Sequence, residues 1–326
     1  MNEKENLRAF YLNQNFEKIP FILDAEDIVY PVNGFLERPA GGLAGTDWFG
    51  VKWEYSEQAQ AQTPDCSVPP VLGDICDWRE VVKFPDLDAW DWEAAARADN
   101  MDKRDRENKL IDVVVCNGLW ERMNQLMGFE NALCALLEEP EEVEEFFDAV
   151  VEYKIKLLQK IKQYYNPDVI TFHDDWGTQN GPFMSPDTWR ELIKPRHAKI
   201  VAAAHELGLI WVQHSCGKYD KLMVDIMETG IDVLQCMDIN DIGAAIDATE
   251  GKMQFTPSVH SQKYFADDAA GLLTADGVRS EVHEEFMRLC ATGHYMPFLF
   301  PPSTWYEEIV QDEFVKCRDE LAKRNS

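Results

Sequence analysis

From residue 110 onward, short apolar runs rich in β-branched residues alternate with longer segments of helical periodicity. The runs at 111–116, 168–172, 209–213, 232–236, 253–257 and 295–300 have strand length and near-continuous hydrophobicity, which predicts strands buried on both faces. Between them lie amphipathic helices with recognisable starts. Pro140-Glu141-Glu142 places proline and acid in a first helical turn, and Ser185-Pro186-Asp187-Thr188 reads as an N-cap with proline behind it. Strand and helix alternating at this period predict a parallel sheet, either closed into a barrel or open and doubly wound.

The first 109 residues lack this rhythm. A polar helix leads to a seventh apolar run at 19–23, and an eighth strand has room only in this irregular part. A glycine-rich turn region follows at 38–45, then an aromatic strand pair at 47–53, then a loop-like segment at 58–74 rich in Gln, Pro and small residues. The expected organisation is one barrel domain over 1–326, with an irregular N-terminal part at 1–109 and regular β/α units at 110–326.

Charge narrows the partners. Fifty-nine acidic against 31 basic residues give a formal net charge of −28, which repels nucleic acid and anionic membranes. Much of that charge reads as a solvated acidic surface. The eight cysteines follow no framework spacing, so they are expected to be reduced thiols, as in a cytoplasmic protein. No apolar run is long enough to span a bilayer, and residues 1–10 lack the apolar core of a signal peptide.

In either parallel architecture, chemistry sits at the C-terminal ends of the strands. The run at 168–172 leads into His173-Asp174-Asp175-Trp176-Gly177, so His173, Asp174 and Asp175 are candidate catalytic groups. The same letters also suit a turn. The run at 209–213 leads into His214-Ser215-Cys216-Gly217. Residues i and i+2 share one side of a strand, so imidazole and thiolate can meet on one ion, and zinc takes such N and S donors. A packed thiol beside a hydrogen-bonded histidine is the bland alternative. His260, after the run at 253–257, is a candidate third ligand or a polar loop residue. Cys236 reads as a core thiol. His197, His205 and His283 read as structural. No P-loop, dinucleotide-binding glycine pattern or nucleophile elbow occurs.

The pieces His173-Asp-Asp-Trp-Gly-Thr-Gln-Asn-Gly181, Met184-Ser-Pro-Asp-Thr-Trp-Arg-Glu-Leu-Ile-Lys-Pro195, His205-Glu-Leu-Gly208, His214-Ser-Cys-Gly217 and Gly230-Ile-Asp-Val-Leu-Gln235 resemble, in order and spacing, the uroporphyrinogen decarboxylase-like superfamily. The resemblance covers about residues 110–245 and implies a (β/α)8 TIM-type barrel. That superfamily includes decarboxylases and cobalamin-dependent methyltransferases. The decarboxylases carry an Arg-Gln-Ala-Gly-Arg motif that grips substrate carboxylates. The comparable stretch here, 33–42, has Arg38 as its only guanidinium.

The methyltransferase branch therefore looks closer. Its thiol-methylating members bind zinc through His-x-Cys and a distant Cys after the last strand. His214 and Cys216 match the first two, whereas the last strand ends in Phe298-Leu299-Phe300. His260, Asp174 or Asp175 are the candidates to replace the missing ligand. The resemblance implies zinc-assisted methyl transfer between a small substrate and a corrinoid carried by a partner protein. Trp48, Phe49, Trp176 and Tyr295 are candidate walls for a methoxylated aromatic, and core packing is the alternative for each. A decarboxylase and a non-catalytic metal- or corrinoid-binding scaffold are the competing readings.

Overall fold

The computed structural model describes residues 1–32, 37–39, 44–57 and 61–324. Strands β1 (Glu26–Val29), β5 (Leu110–Val115), β6 (Val169–His173), β7 (Ile210–Ser215), β8 (Val233–Cys236) and β9 (Gln254–Phe255) form one sheet in that order. Strands β2 (Gly45–Thr46), β3 (Lys52–Ser56) and β4 (Ala61–Pro64) form a separate antiparallel sheet. Every neighbouring pair in the large sheet is parallel. Residues 294–298 continue it, since Phe255 donates to His294, Met296 donates to Phe255, and Phe298 donates to Pro257. The architecture is a TIM-type barrel, with seven parallel segments among the described residues.

The strands are mainly apolar because both faces are covered. All six residues of β5 are buried. The helix Pro140–Tyr165 packs outside with Val143, Phe146, Phe147, Val150, Val151, Leu157, Leu158 and Ile161 buried, the spacing of a single helical face. Lys154 lies within that stripe and is equally buried.

Two N-terminal expectations change. Residues 22–25 turn as a short helix, and the first strand is Glu26–Val29 rather than 19–23. Its signature is masked because Glu26 faces inward. Burial pushes that carboxyl well above the usual range, and the Tyr11 hydroxyl donates to it at 3.0 Å. The segment read as a loop at 58–74 contains β4, which pairs with β3 from Trp53↔Pro64 to Ser56↔Ala61. Pro64 sits at the end of this edge strand, where a missing N–H is tolerated. The aromatic pair at 47–53 is the turn between β2 and β3 together with the start of β3. Asp47 Oδ1 accepts from the N–H groups of Phe49 and Val51, both at 2.9 Å. Much of the glycine-rich turn region, residues 40–43, lies outside the described residues, as do 33–36 of the stretch compared with the decarboxylase motif.

Candidate active site at the barrel mouth

The register of three strands builds the site. His173 pairs with His214, and His214 pairs with Gln235, so their side chains leave the sheet at one level. The His173 and His214 rings stack, with centroids 4.0 Å apart and planes 23° from parallel. Burial, the neighbouring His214 and Arg38 hold His173 well below the usual imidazole range, so it stays neutral.

Behind His214, its Nδ1 donates to Gln235 Oε1 at 2.6 Å. That bond places the ring proton on Nδ1 and leaves the Nε2 lone pair free. Nε2 lies 3.4 Å from Cys216 Sγ and 3.9 Å from Asp175 Oδ1. Asp175 Oδ1 also accepts from the Cys216 backbone N–H at 2.6 Å, which ties the two strand ends together. Donor atoms of Asp175, His214 and Cys216 all lie within 4.8 Å of one another, and all three residues are half-buried.

These donors fit a divalent ion of borderline softness. A tetrahedral zinc holding sulfur at about 2.3 Å and nitrogen at about 2.0–2.1 Å sets those atoms about 3.5 Å apart. The present Sγ to Nε2 separation is close to that value. Burial pushes the Cys216 thiol upward, and Asp175 and Glu121 push it further. A pocket that resists one more anion this strongly is one that a cation would stabilise.

Asp174 points elsewhere. Its Oδ2 accepts from the Trp120 N–H at 3.3 Å and its Oδ1 from the Glu121 N–H at 2.9 Å. It therefore caps the helix Leu119–Met127, whose own N-cap is Gly118 and supplies no side chain. A Cβ at Gly118 would collide with Asp174, so only glycine lets the helix approach this closely. Burial pushes the Asp174 carboxyl up to about 7, against the pull of those hydrogen bonds. Gly217, at φ +92°, lets the chain turn after Cys216, and a Cβ there would strike the backbone of Gly177.

His260 is not in the metal-type group. Its Nδ1 lies 3.4 Å from Asp238 Oδ2 and its Nε2 lies 2.9 Å from Glu285 Oε2. Burial opposes its charge, but these carboxylates prevail and raise it to about 10. An imidazolium between two carboxylates presents no free lone pair, and the carboxylate that converges with His214 and Cys216 is that of Asp175.

The four aromatic candidates do not form a wall. Phe49 is buried under the Arg122 guanidinium, 4.0 Å from its ring centroid, and packs on Phe84 and Tyr153. Trp176 is fully buried against Trp189, His197 and Tyr219. Tyr295 is fully buried and donates to Glu285 at 2.9 Å. Trp48 is half-buried and packs at a 60° tilt against Trp90, with ring centroids 4.7 Å apart. Their apolar area is taken up by packing against the N-terminal region and the helices.

Two residues had no sequence signal of their own. Gln235 is a polar residue inside an apolar strand run, an anomaly that its register with His214 explains. Glu121 stands in a first helical turn, where acid suits the helix dipole, a position that by itself marks no site. It is buried, and its Oε2 accepts from the Asn117 N–H at 3.0 Å. Burial and the charge of Asp175 push it up to about 8, while Arg38, 3.9 Å from Oε1, pulls it down.

A parallel barrel with an N, S and O donor group at the C-terminal ends of its strands has those donors where barrel enzymes carry their chemistry. The uroporphyrinogen decarboxylase (URO-D) family matches residues 49–259, and the chain belongs to that family. It is 26% identical over 107 residues to a methylated-thiol–coenzyme M methyltransferase of Methanosarcina mazei; the match covers 33% of this chain and only 28% of that relative's length. A methyltransferase structure from Methanosarcina mazei superimposes with a TM-score of 0.68 over 98% of this chain and 99% of that one, at 14% identity. That likeness shows the fold. No helix among the described residues is long and apolar enough to cross a membrane.

Proposed function

We propose that the chain is a methyltransferase that binds one zinc ion through Asp175, His214 and Cys216. It passes a methyl group between a small thiol or thioether and a corrinoid held by a partner protein. The observation that carries this reading is the convergence of the three donors with Gln235 fixing the His214 tautomer behind them. The sulfur substrate class is supported by the name of the relative, whose stated substrates are a methylated thiol and a thiol coenzyme. The buried positions of Phe49, Trp176 and Tyr295 remove the support for a methoxylated aromatic.

A zinc ion held by Asp175, His214 and Cys216 would supply Lewis acidity favouring the thiolate form of a sulfur substrate. The chain's own groups do the remainder. His214 presents Nε2, and Asp175 orders the Cys216 backbone and faces the same point. Neutral His173 closes one side of the imidazole without adding charge. While no cation is bound, burial and the charge of Asp175 favour the protonated form of the Glu121 carboxyl, whose Oε2 accepts from the Asn117 N–H and whose Oε1 faces Arg38. That carboxyl is placed to exchange a proton with a substrate heteroatom at the mouth.

The test is elemental analysis of the purified chain beside a His214→Ala/Cys216→Ala variant, followed by methyl transfer from a methylated thiol to reduced cobalamin. A fall of about one zinc per chain in the variant, together with a loss of at least tenfold of the transfer rate, is expected. Equal transfer by both proteins would sink the proposal. A decarboxylase of polycarboxylates would need several cations at the mouth. Arg38 reaches the mouth, whereas Arg122 and Lys154 are consumed by Glu37 and Asp47.

A further inference from the structure

The barrel mouth is one of two places where His, Cys and carboxylate converge among the described residues. The other lies on the outside, between the helices Ala275–Leu289 and Trp305–Arg324. There His283 Nδ1 lies 2.9 Å from Glu313 Oε1 and 3.4 Å from Cys317 Sγ. All three donor atoms fall within 4.8 Å of one another. Cys317 is fully buried and Glu313 nearly so, while the His283 side chain is 45% exposed.

Without a cation this arrangement is only half satisfied. The single Nδ1 proton points to Glu313 Oε1, so Nδ1 has no lone pair left for the Cys317 thiol that crowds it. Glu313 divides its oxygens. Oε2 accepts from Arg279 at 2.9 Å and Lys316 at 3.1 Å, and Oε1 alone faces the His and Cys. Arg279 and Lys316 would thus hold the carboxylate from behind, as groups around a metal-ligating carboxylate commonly do. The Sγ to Nδ1 distance again matches the roughly 3.5 Å expected between sulfur and nitrogen on one tetrahedral zinc. Access is open. A crevice of about 320 Å³ lined by Asp276, Arg279, Ser280, His283, Glu284 and Glu313 leads from solvent to the imidazole. Asp276 and Glu284 add negative charge around its rim.

We infer that His283, Glu313 and Cys317 form a second divalent-metal site for zinc or a similar ion of N and S preference, one that ties the last helix to its neighbour across the outside of the barrel. The site is independent of the barrel mouth and takes no part in methyl transfer. Binding there requires the ring proton to move from Nδ1 to the half-exposed Nε2 by way of solvent, and the thiol proton to leave to solvent, so that a neutral imidazole and a thiolate both face the ion. Its effect is on the stability of the helix pair, because an ion bound to the native state alone raises the unfolding temperature.

Cobalt(II) is the probe, since its thiolate complexes absorb in the near ultraviolet. The full-length His214→Ala/Cys216→Ala variant, with the mouth donors removed, is titrated after chelator treatment. One equivalent of cobalt with a thiolate charge-transfer band, and a rise of a few degrees in Tm with zinc, are expected. Adding His283→Gln, at a half-exposed position that tolerates change, abolishes the band and the rise; Cys317→Ser does the same. No band in the mouth-deficient protein, or a band and Tm rise that survive His283→Gln, overturns the inference and leaves Glu313 as an ion-pair hub. Neither result bears on the mouth, which that background lacks.

Discussion

Two charged clusters lie close together around the helix Leu119–Met127, and they are built on opposite principles. On one side, Glu37 accepts from Lys154 at 2.7 Å and from Arg122 at 2.9 Å. Arg122 also donates to Asp47 at 3.0 Å, and the Trp53 indole donates to the same carboxylate at 3.1 Å. All four ionic side chains are at most 1% exposed, so this network is dry and paired. It pins the N-terminal region to the barrel. On the other side, Asp174, Asp175, Glu121 and Cys216 crowd together with Arg38 as their facing cation. There, carboxyls are pushed up to about 7 and about 8. The first cluster has spent its charges on structure, and the second holds donors in reserve. Stability and function are divided between neighbours, as expected where sites are strained and scaffolds are not.

Removing one member of the paired network should have the largest effect. Glu37→Ala leaves Arg122 and Lys154 buried without their shared partner, and is expected to lower unfolding free energy by about 3–5 kcal/mol. Urea denaturation reads this directly, and a loss below about 1 kcal/mol would mean that the network is not what holds the N-terminal region.

The mouth should show the reverse, in a pH dependence. A carboxyl raised in the folded state stabilises it below the unfolded pKa, and that stability is lost as pH rises through the folded value. For Glu121 the window runs from the ordinary 4.5 to about 8. In metal-free protein, Glu121→Gln should be more stable than wild type at alkaline pH by on the order of 2 kcal/mol, and similar to it near pH 4. Parallel stability curves across that range would show that Glu121 does not carry the proton assigned to it.

Gly118→Ala tests the seam between strand β6 and the capped helix. Driving a methyl group into Asp174 is expected to cost about 1–3 kcal/mol. Gly181→Ala, where nothing lies within 4 Å of the added Cβ, serves as the comparison and should be near neutral. Equal Tm values for the two variants would contradict the close approach.

The smallest change in stability should come with Gln235→Leu. Freeing the His214 tautomer is expected to weaken zinc binding roughly 10–100-fold with little change in Tm. Unaltered affinity in a competition titration would remove Gln235 from the site.

The strands from residue 110 onward were readable because each is a short apolar run with polar helix faces between, and a two-sided core demands that pattern. The first strand was not, because Glu26 and the neighbouring Asp27 break it. His214 and Cys216 were readable as a pair because alternation along a strand places i and i+2 together. Lys154 carries a faint signal as a charge in an apolar helical stripe, although its partner Glu37 lies 117 residues away.

The parallel strands, their ends and the His-x-Cys pair are thus matters of local periodicity, which the amino-acid order determines by itself, whereas periodicity left a closed barrel and an open sheet equally allowed. Which of Asp174, Asp175 and His260 converges with that pair was decided elsewhere. Three residues with the same claim on paper were sorted by what reached them in space: Asp174 by the orphan N–H groups of a helix, His260 by Asp238 and Glu285, and Asp175 by the open side of the mouth. The same holds for His283, Glu313 and Cys317, which only the packing of two helices brings together. Ligand sets depend on a few ångströms between strands and helices distant in sequence, and tertiary structure alone supplies those distances.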